Sequence, residues 1–194
     1  MSTCSDSLAA KKAALRARAR SYLTENAPAY GTAWGQAMAS ELARTDLWQQ
    51  ARRVFCFVST SREPDTRPLL EQALAQGKTV CVPRTGPDGF MEAVPISDLS
   101  RLVPARFGLL EPAPGLPALA ANQLDLVVAP CLMAAPGGLR LGQGGGYYDR
   151  FLPLCHCPVI LLCPAALVQQ TLPIEAHDRP ADQVLTENGF LCPN

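Results

Sequence analysis

The residues Arg140-Leu-Gly-Gln-Gly-Gly-Gly-Tyr-Tyr-Asp-Arg150 concentrate the chemistry of this chain. Four of the five positions from Gly142 to Gly146 carry no side chain, so backbone N–H groups there can close on a bulky anion. Arg140 and Arg150 can offset negative charge. Asp149 supplies oxygen ligands for a hard cation such as Mg2+. Tyr147 or Tyr148 can stack on a flat ring or donate from its hydroxyl. Together these groups suit the phosphates of a nucleoside triphosphate. Taken singly, they read as surface arginines, a helix-start acid and core tyrosines. The segment matches neither standard nucleotide fingerprint. It has no G-x-x-x-x-G-K-[ST], and Tyr147 stands where the third glycine of a dinucleotide motif belongs.

A loop of this kind must be held by rigid elements. Helices are expected over 5–26, with Ser5 or Asp6 as N-cap, and over 32–50, where Trp34, Met38 and Leu42 share one face. Residues 53–59 and 78–83 read as strands. Between them lies a helix capped by Asp65, with Pro68 in its first turn and Gly77 ending it. That unit implies a right-handed parallel crossover. Residues 84–121 read as irregular, with a minor hairpin near Phe90–Val94 and an exposed loop over 113–117. Leu124–Pro130 is apolar enough to be a central strand. The glycine loop follows, then a helix over 147–152, a fourth strand over 158–163 and a short helix over 167–172. Alternating strands and helices predict an α/β fold with the loop beyond the carboxyl ends of the strands.

The 194 residues suit one domain, and 48% of them are hydrophobic, enough for a sizeable core. The 17 basic and 17 acidic residues balance, which gives no reason to expect a nucleic-acid partner. No apolar run approaches the ~20 residues of a membrane span. Eight cysteines occur without any C-x-x-C pair; Cys56, Cys81 and Cys131 lie in strand-like runs and read as small buried hydrophobes. A zinc site through Cys155, His156, Cys157 and Cys163 is the minor alternative. Unpaired thiols fit a reducing, cytoplasmic setting. Residues 8–23 are Ala/Arg-rich without an acid, as in a mitochondrial presequence, but Asp6 and Glu25 bracket them.

The block from Arg140 to Arg150 resembles the signature of the 5-formyltetrahydrofolate cyclo-ligase family. Lys12-Ala-Ala-Leu-Arg16, Glu63-Pro-Asp-Thr66, Gly108-Leu-Leu-Glu-Pro112 and His177-Asp-Arg-Pro-Ala-Asp182 are similar to other family segments in the same order. The resemblance implies a single-domain three-layer α/β/α sandwich with a mostly parallel central sheet. It implies conversion of 5-formyltetrahydrofolate and MgATP to 5,10-methenyltetrahydrofolate, ADP and phosphate, with ATP and reduced folate as partners and a monomer with no nucleic-acid or membrane partner. By resemblance, Lys12, Arg16 and residues Arg140, Leu141, Gly142, Gln143, Gly144, Gly145, Gly146, Tyr147 and Tyr148 would bind ATP. Val58 and Glu63, with Gln143 to Tyr147, would contact the folate. Asp149 and Asp178 would hold Mg2+, and no side chain would act as a nucleophile.

This chain departs from the family pattern near the expected site. Ala134-Ala135 stands where many members have Phe-Asp. Leu162-Cys-Pro164 stands where an aromatic residue or His followed by Asp is common. These departures motivate an alternative, a family-like protein that binds folate or nucleotide without cyclising it. A sugar-phosphate isomerase or acyl-CoA transferase on a similar scaffold is a third alternative, for which the sequence advertises no catalytic acid pair.

Overall fold

The computed structural model describes residues 3–175 and 179–191. The first element is one helix, α1 (Thr3–Ala43), where two helices were expected. Its buried positions explain the continuity. Ala19, Leu23, Ala27, Gly31, Trp34, Met38 and Leu42 form one stripe at helical spacing that runs past Pro28. Pro28 lies on the exposed side, where solvent can serve the carbonyl that loses its N–H partner. Thr45 then caps a short second helix, α2 (Asp46–Gln50), by accepting from Trp48 N at 3.2 Å.

The main sheet has seven strands in the order β11-β10-β9-β6-β1-β2-β3. Its core is β1 (Arg53–Cys56), β2 (Thr79–Thr85), β6 (Leu126–Pro130), β9 (Val159–Leu162) and β10 (Gln183–Thr186), all parallel in their pairings with one another. Antiparallel edges are added by β3 (Met91–Ile96) beside β2 and β11 (Gly189–Phe190) beside β10. The registers Val54↔Val80 and Val54↔Leu126 place β1 at the centre. All four residues of β9 are buried, as are the first four of β6, as expected for strands covered on both faces.

The crossover from β1 to β2 carries α3 (Arg67–Ala75), and α1 packs on α3. The crossover from β6 to β9 carries α4 (Tyr147–Phe151), whose Phe151 ring packs on Phe55 of β1 at 4.7 Å. The two crossovers leave the centre in opposite directions. Right-handed connections therefore put α3 and α4 on opposite faces, the three-layer arrangement. They also make the junction of β1 and β6 the point where the strand order reverses, and open α/β sheets bind ligands beyond the carboxyl ends at such a point.

Several local expectations change. The helix after β1 starts one residue later than expected: Thr66 is its N-cap residue, while Asp65 Oδ1 still accepts from Arg67 N at 3.0 Å. Residues 84–96 belong to a long β2–β3 hairpin. A second hairpin, β4 (Leu102–Pro104) with β5 (Leu110–Pro112), occupies part of the stretch expected to be irregular. Between β6 and the glycine loop lies a third hairpin, β7 (Met133–Ala135) with β8 (Leu139–Leu141). The helix expected over 167–172 is absent. Ala165–Leu167 make one 3-10 turn, then Val168 bridges Ala134 and Gln169 N donates to Ala134 O at 2.8 Å, so extended pairing replaces helix. Cys56, Cys81, Cys131, Cys155 and Cys163 are free and buried, as small hydrophobes should be. Among the described residues no cluster of His, Cys, Asp or Glu could hold a zinc ion.

Candidate functional site

The glycine loop joins β8 to α4 and is gripped by α1. Arg16 Nε donates to Gly142 O at 3.0 Å. One turn further, Arg20 donates to Gln143 Oε1 at 3.1 Å and to Gln143 O at 3.0 Å. A trans peptide points its C=O and N–H to opposite sides, so these bonds turn the N–H groups of Gln143 and Gly144 away from α1. Among the described residues, no acceptor meets the N–H groups of Gln143, Gly144, Gly145 or Gly146. Gly144 and Gly146 hold φ of +102° and +70°, where a side chain is strained. The loop is thus a backbone cradle of unengaged donors, shaped to receive an anion.

Behind the cradle, Arg140 forms an ion pair with Asp149 and lies over the Tyr148 ring at 5.5 Å. The Arg140 side chain is 7% exposed, and its Nε is buried without a partner. Tyr148 packs edge-on against Phe55, and burial holds its hydroxyl well above the usual phenol range. Tyr147 lies along the loop: a methyl group on Gly145 would come 2.9 Å from its ring, so this glycine is needed for space rather than for φ.

The second half of the site hangs from β1. Val58 is buried just after the strand. Glu63 curls back so that its carboxylate accepts from Thr60 N at 2.8 Å and Thr60 Oγ1 at 2.9 Å. Burial raises the Glu63 pKa, against the opposing pull of the Thr60 hydrogen bonds and the Arg62 charge. Ser59, Asp65 and Thr66 lace the loop shut, Thr66 Oγ1 donating to Phe57 O at 2.8 Å. α1 touches this loop too. Asp65 N donates to Gly31 O at 3.0 Å, and a methyl on Gly35 would sit 2.0 Å from Asp65 O. A polar cavity of about 230 Å³ opens beside Glu63, lined by residues 59–62, Arg67, Gly108 and Leu110. Nearby, the buried Glu111 accepts from Thr85 Oγ1 at 2.6 Å.

Arg16, Arg140, Tyr147, Tyr148 and Asp149 thus meet at the glycine loop, with Glu63 and Val58 at the next strand end. Lys12 is different. It is buried, and its Nζ pairs with Glu175 at 2.7 Å. Asp178 and His177 lie outside the described residues. Asp149 is engaged by Arg140, and among the described residues no third acid, His or Cys joins it to make a metal cluster. Arg20 escaped sequence reasoning although the signal was present: Lys12, Arg16 and Arg20 repeat every four residues on one helical face. Arg150 turns to the backbone, donating to Gly145 O at 3.3 Å. Ala134, Ala135 and Cys163 are wholly buried and Leu162 nearly so.

These features define an α/β protein whose candidate ligand site stands at the carboxyl rim of a mostly parallel sheet. The chain belongs to the 5-formyltetrahydrofolate cyclo-ligase family, whose model matches residues 8–187. It is 33% identical over 159 residues to the 5-formyltetrahydrofolate cyclo-ligase of Escherichia coli K12, covering 78% of this chain and 87% of that one. It is 31% identical over 170 residues to a probable 5-formyltetrahydrofolate cyclo-ligase of Caenorhabditis elegans, covering 80% and 82%. In fold it is similar to the NMR structure of Aquifex aeolicus 5,10-methenyltetrahydrofolate synthetase, with a TM-score of 0.81, 23% identity, and coverage of 92% and 91%.

Proposed function

We propose that this protein converts 5-formyltetrahydrofolate to 5,10-methenyltetrahydrofolate at the expense of ATP. The observation that carries the reading is the loop itself: unengaged amides at Gln143–Gly146, with buried Arg140 behind them and Arg16 at their edge. A formamide oxygen is a poor leaving group. Its attack on the γ-phosphorus breaks the bond to the bridging oxygen, which departs on ADP, and gives an iminophosphate. Attack by N10 of the same folate then closes the ring and expels phosphate. The first step needs charge stabilisation and alignment more than a nucleophilic side chain. The second is intramolecular, so positioning supplies much of its rate.

Under this reading the amides of 143–146 cradle the phosphates while Arg140 neutralises charge from behind. Glu63 takes the donor edge of the pterin, against the buried wall at Val58, and the adjoining polar cavity leaves room for part of the folate. Lys12 would reach the phosphates by exchanging Glu175 for them. Mg2+ typically binds one or two carboxylates plus substrate phosphates, which suits Asp149 with Asp178. When bound it would offset the charge of the β- and γ-phosphates. The protein would work as a monomer on small molecules alone. Among the described residues no helix is long and apolar enough to cross a membrane.

The test is direct. With Mg2+, ATP and 5-formyltetrahydrofolate, ADP release should match the growth of methenyltetrahydrofolate absorbance. No such product at saturating substrate sinks the proposal. Calorimetric folate binding without turnover would favour the non-cyclising alternative.

A further inference from the structure

We propose that Arg150 is a positioning residue that locks the β2–β3 turn onto the glycine loop, making that turn part of the apparatus that holds the nucleotide. The proposal rests on the ATP reading above.

Two glycines far apart in sequence make room for the same cation. A methyl group on Gly89 would lie 2.2 Å from Arg150 Nη1, and one on Gly146 would lie 2.4 Å from it. The guanidinium is therefore flush against the backbone of the turn on one side and of the loop on the other. It also donates to Gly145 O at 3.3 Å. The same methyl on Gly89 would come 3.1 Å from Gly145 O, so the two backbones themselves nearly touch. The turn is well defined: Gly86 N donates to Phe90 O at 2.8 Å and Phe90 N to Pro87 O at 3.0 Å. Asp88 holds φ of 56° there, a value that non-glycine residues seldom adopt.

The loop is consequently gripped at both ends. Arg16 and Arg20 hold the carbonyls of 142 and 143, and Arg150 holds 145 and 146 against the turn. Gly144, at φ +102°, lies between the two grips. Donors fixed before the ligand arrives bind it without a further ordering cost. A cation that gives a donor to a loop carbonyl and lies against both backbones shapes the cradle, rather than meeting the phosphates itself.

Steady-state kinetics on five variants separate these roles. Arg150→Ala and Gly89→Ala should each raise KM for ATP about tenfold, the scale of a lost preorganising contact, with KM for folate unmoved. The double variant should be no worse than either single one, because both break one contact. Arg150→Lys should not rescue, since an ammonium cannot fill both contacts. Gly77→Ala is the control: its φ of +72° imposes similar backbone strain, but nothing lies within 4 Å, and it should leave KM for ATP unchanged. A silent Gly89→Ala with Arg150→Lys near wild type would mean direct phosphate contact and overturn the proposal. Unchanged KM in all variants would overturn it too. If Arg150→Ala fails to fold, Gly89→Ala against Gly77→Ala decides. If the wild type makes no methenyltetrahydrofolate, the functional reading has failed, and the same order of effects is sought in calorimetric ATP affinity.

Discussion

At the amino-terminal rim of the sheet, charge is answered close to where it stands. Asp125, at the start of β6, accepts from Arg53 N at 2.8 Å and from Arg53 Nη2 at 2.8 Å. Asp182, at the start of β10, accepts from Val159 N at 2.8 Å. Lys78, before β2, caps the carbonyls of Trp48 and Ala51. At the carboxyl rim, arginines of α1 spend themselves on loop carbonyls while the loop's own amides stay unengaged, and Arg140 Nε is buried without a partner. Burial also raises Glu63 there, whereas hydrogen bonds from Arg53 hold Asp125 below the usual carboxylate range. One rim is satisfied and contributes stability; the other holds polar groups in reserve, as a binding site must.

Substitutions at the two rims should therefore differ in kind. The largest effect is expected from Arg140→Ala, which strips the charge behind the cradle and leaves Asp149 unpaired. The value of kcat/KM should fall on the order of a hundredfold or more. Near-normal turnover in a folded variant would erase the contrast between the rims. Next is Glu63→Gln, for which KM for folate should rise roughly tenfold or more while KM for ATP holds. Under the proposed function, Glu63 accepts from the pterin in its ionised form. With a raised pKa, affinity should fade on acidification at a higher pH than for an ordinary carboxylate, and Glu63→Gln should remove that fade. A pH profile identical in both proteins would remove Glu63 from the folate contact.

Smaller still, Arg20→Ala breaks an exposed contact and should raise KM for ATP only about two- to fivefold. The Arg16 contact is the less exposed of the two, so a larger rise from Arg20→Ala than from Arg16→Ala would contradict this ranking by burial. Smallest in activity is Asp125→Asn, with kinetics unchanged and stability down by about 1 kcal/mol after allowing for solvent screening, some 2–4 °C in Tm. Because the folded Asp125 pKa is depressed, its contribution is full above the unfolded value and is lost as pH falls through the depressed one. The gap between wild type and Asp125→Asn should accordingly close in acid. A gap that widens there would contradict the pairing with Arg53.

The parts legible in the sequence were those written in local pattern. β1, β2, β6 and β9 announce themselves as apolar runs, and the glycine-tyrosine block marks the loop. What stayed hidden was decided across long separations. The two- and three-residue strands β7, β8 and β11 are too short to show a period; their pairing partners make them strands. Pro28 suggests a break, yet the stripe from Ala19 to Leu42 carries the helix through, so tertiary burial overrode local propensity. Gly89 looks like any turn glycine; only the fold brings Arg150 to it. Lys12 carries a basic motif, but the fold brings Glu175 within reach.

α1 meets the glycine loop at Arg16 and the Glu63 loop at Gly31, fifteen residues further on. At 1.5 Å per residue these fittings stand about 22 Å apart on one rod. The helix is thus a gauge that sets the spacing of the two loops. Adding or deleting one residue between Arg20 and Gly31 would turn one fitting against the other by ~100°. Substitutions on its solvent side should be borne easily, while changes of length there should not.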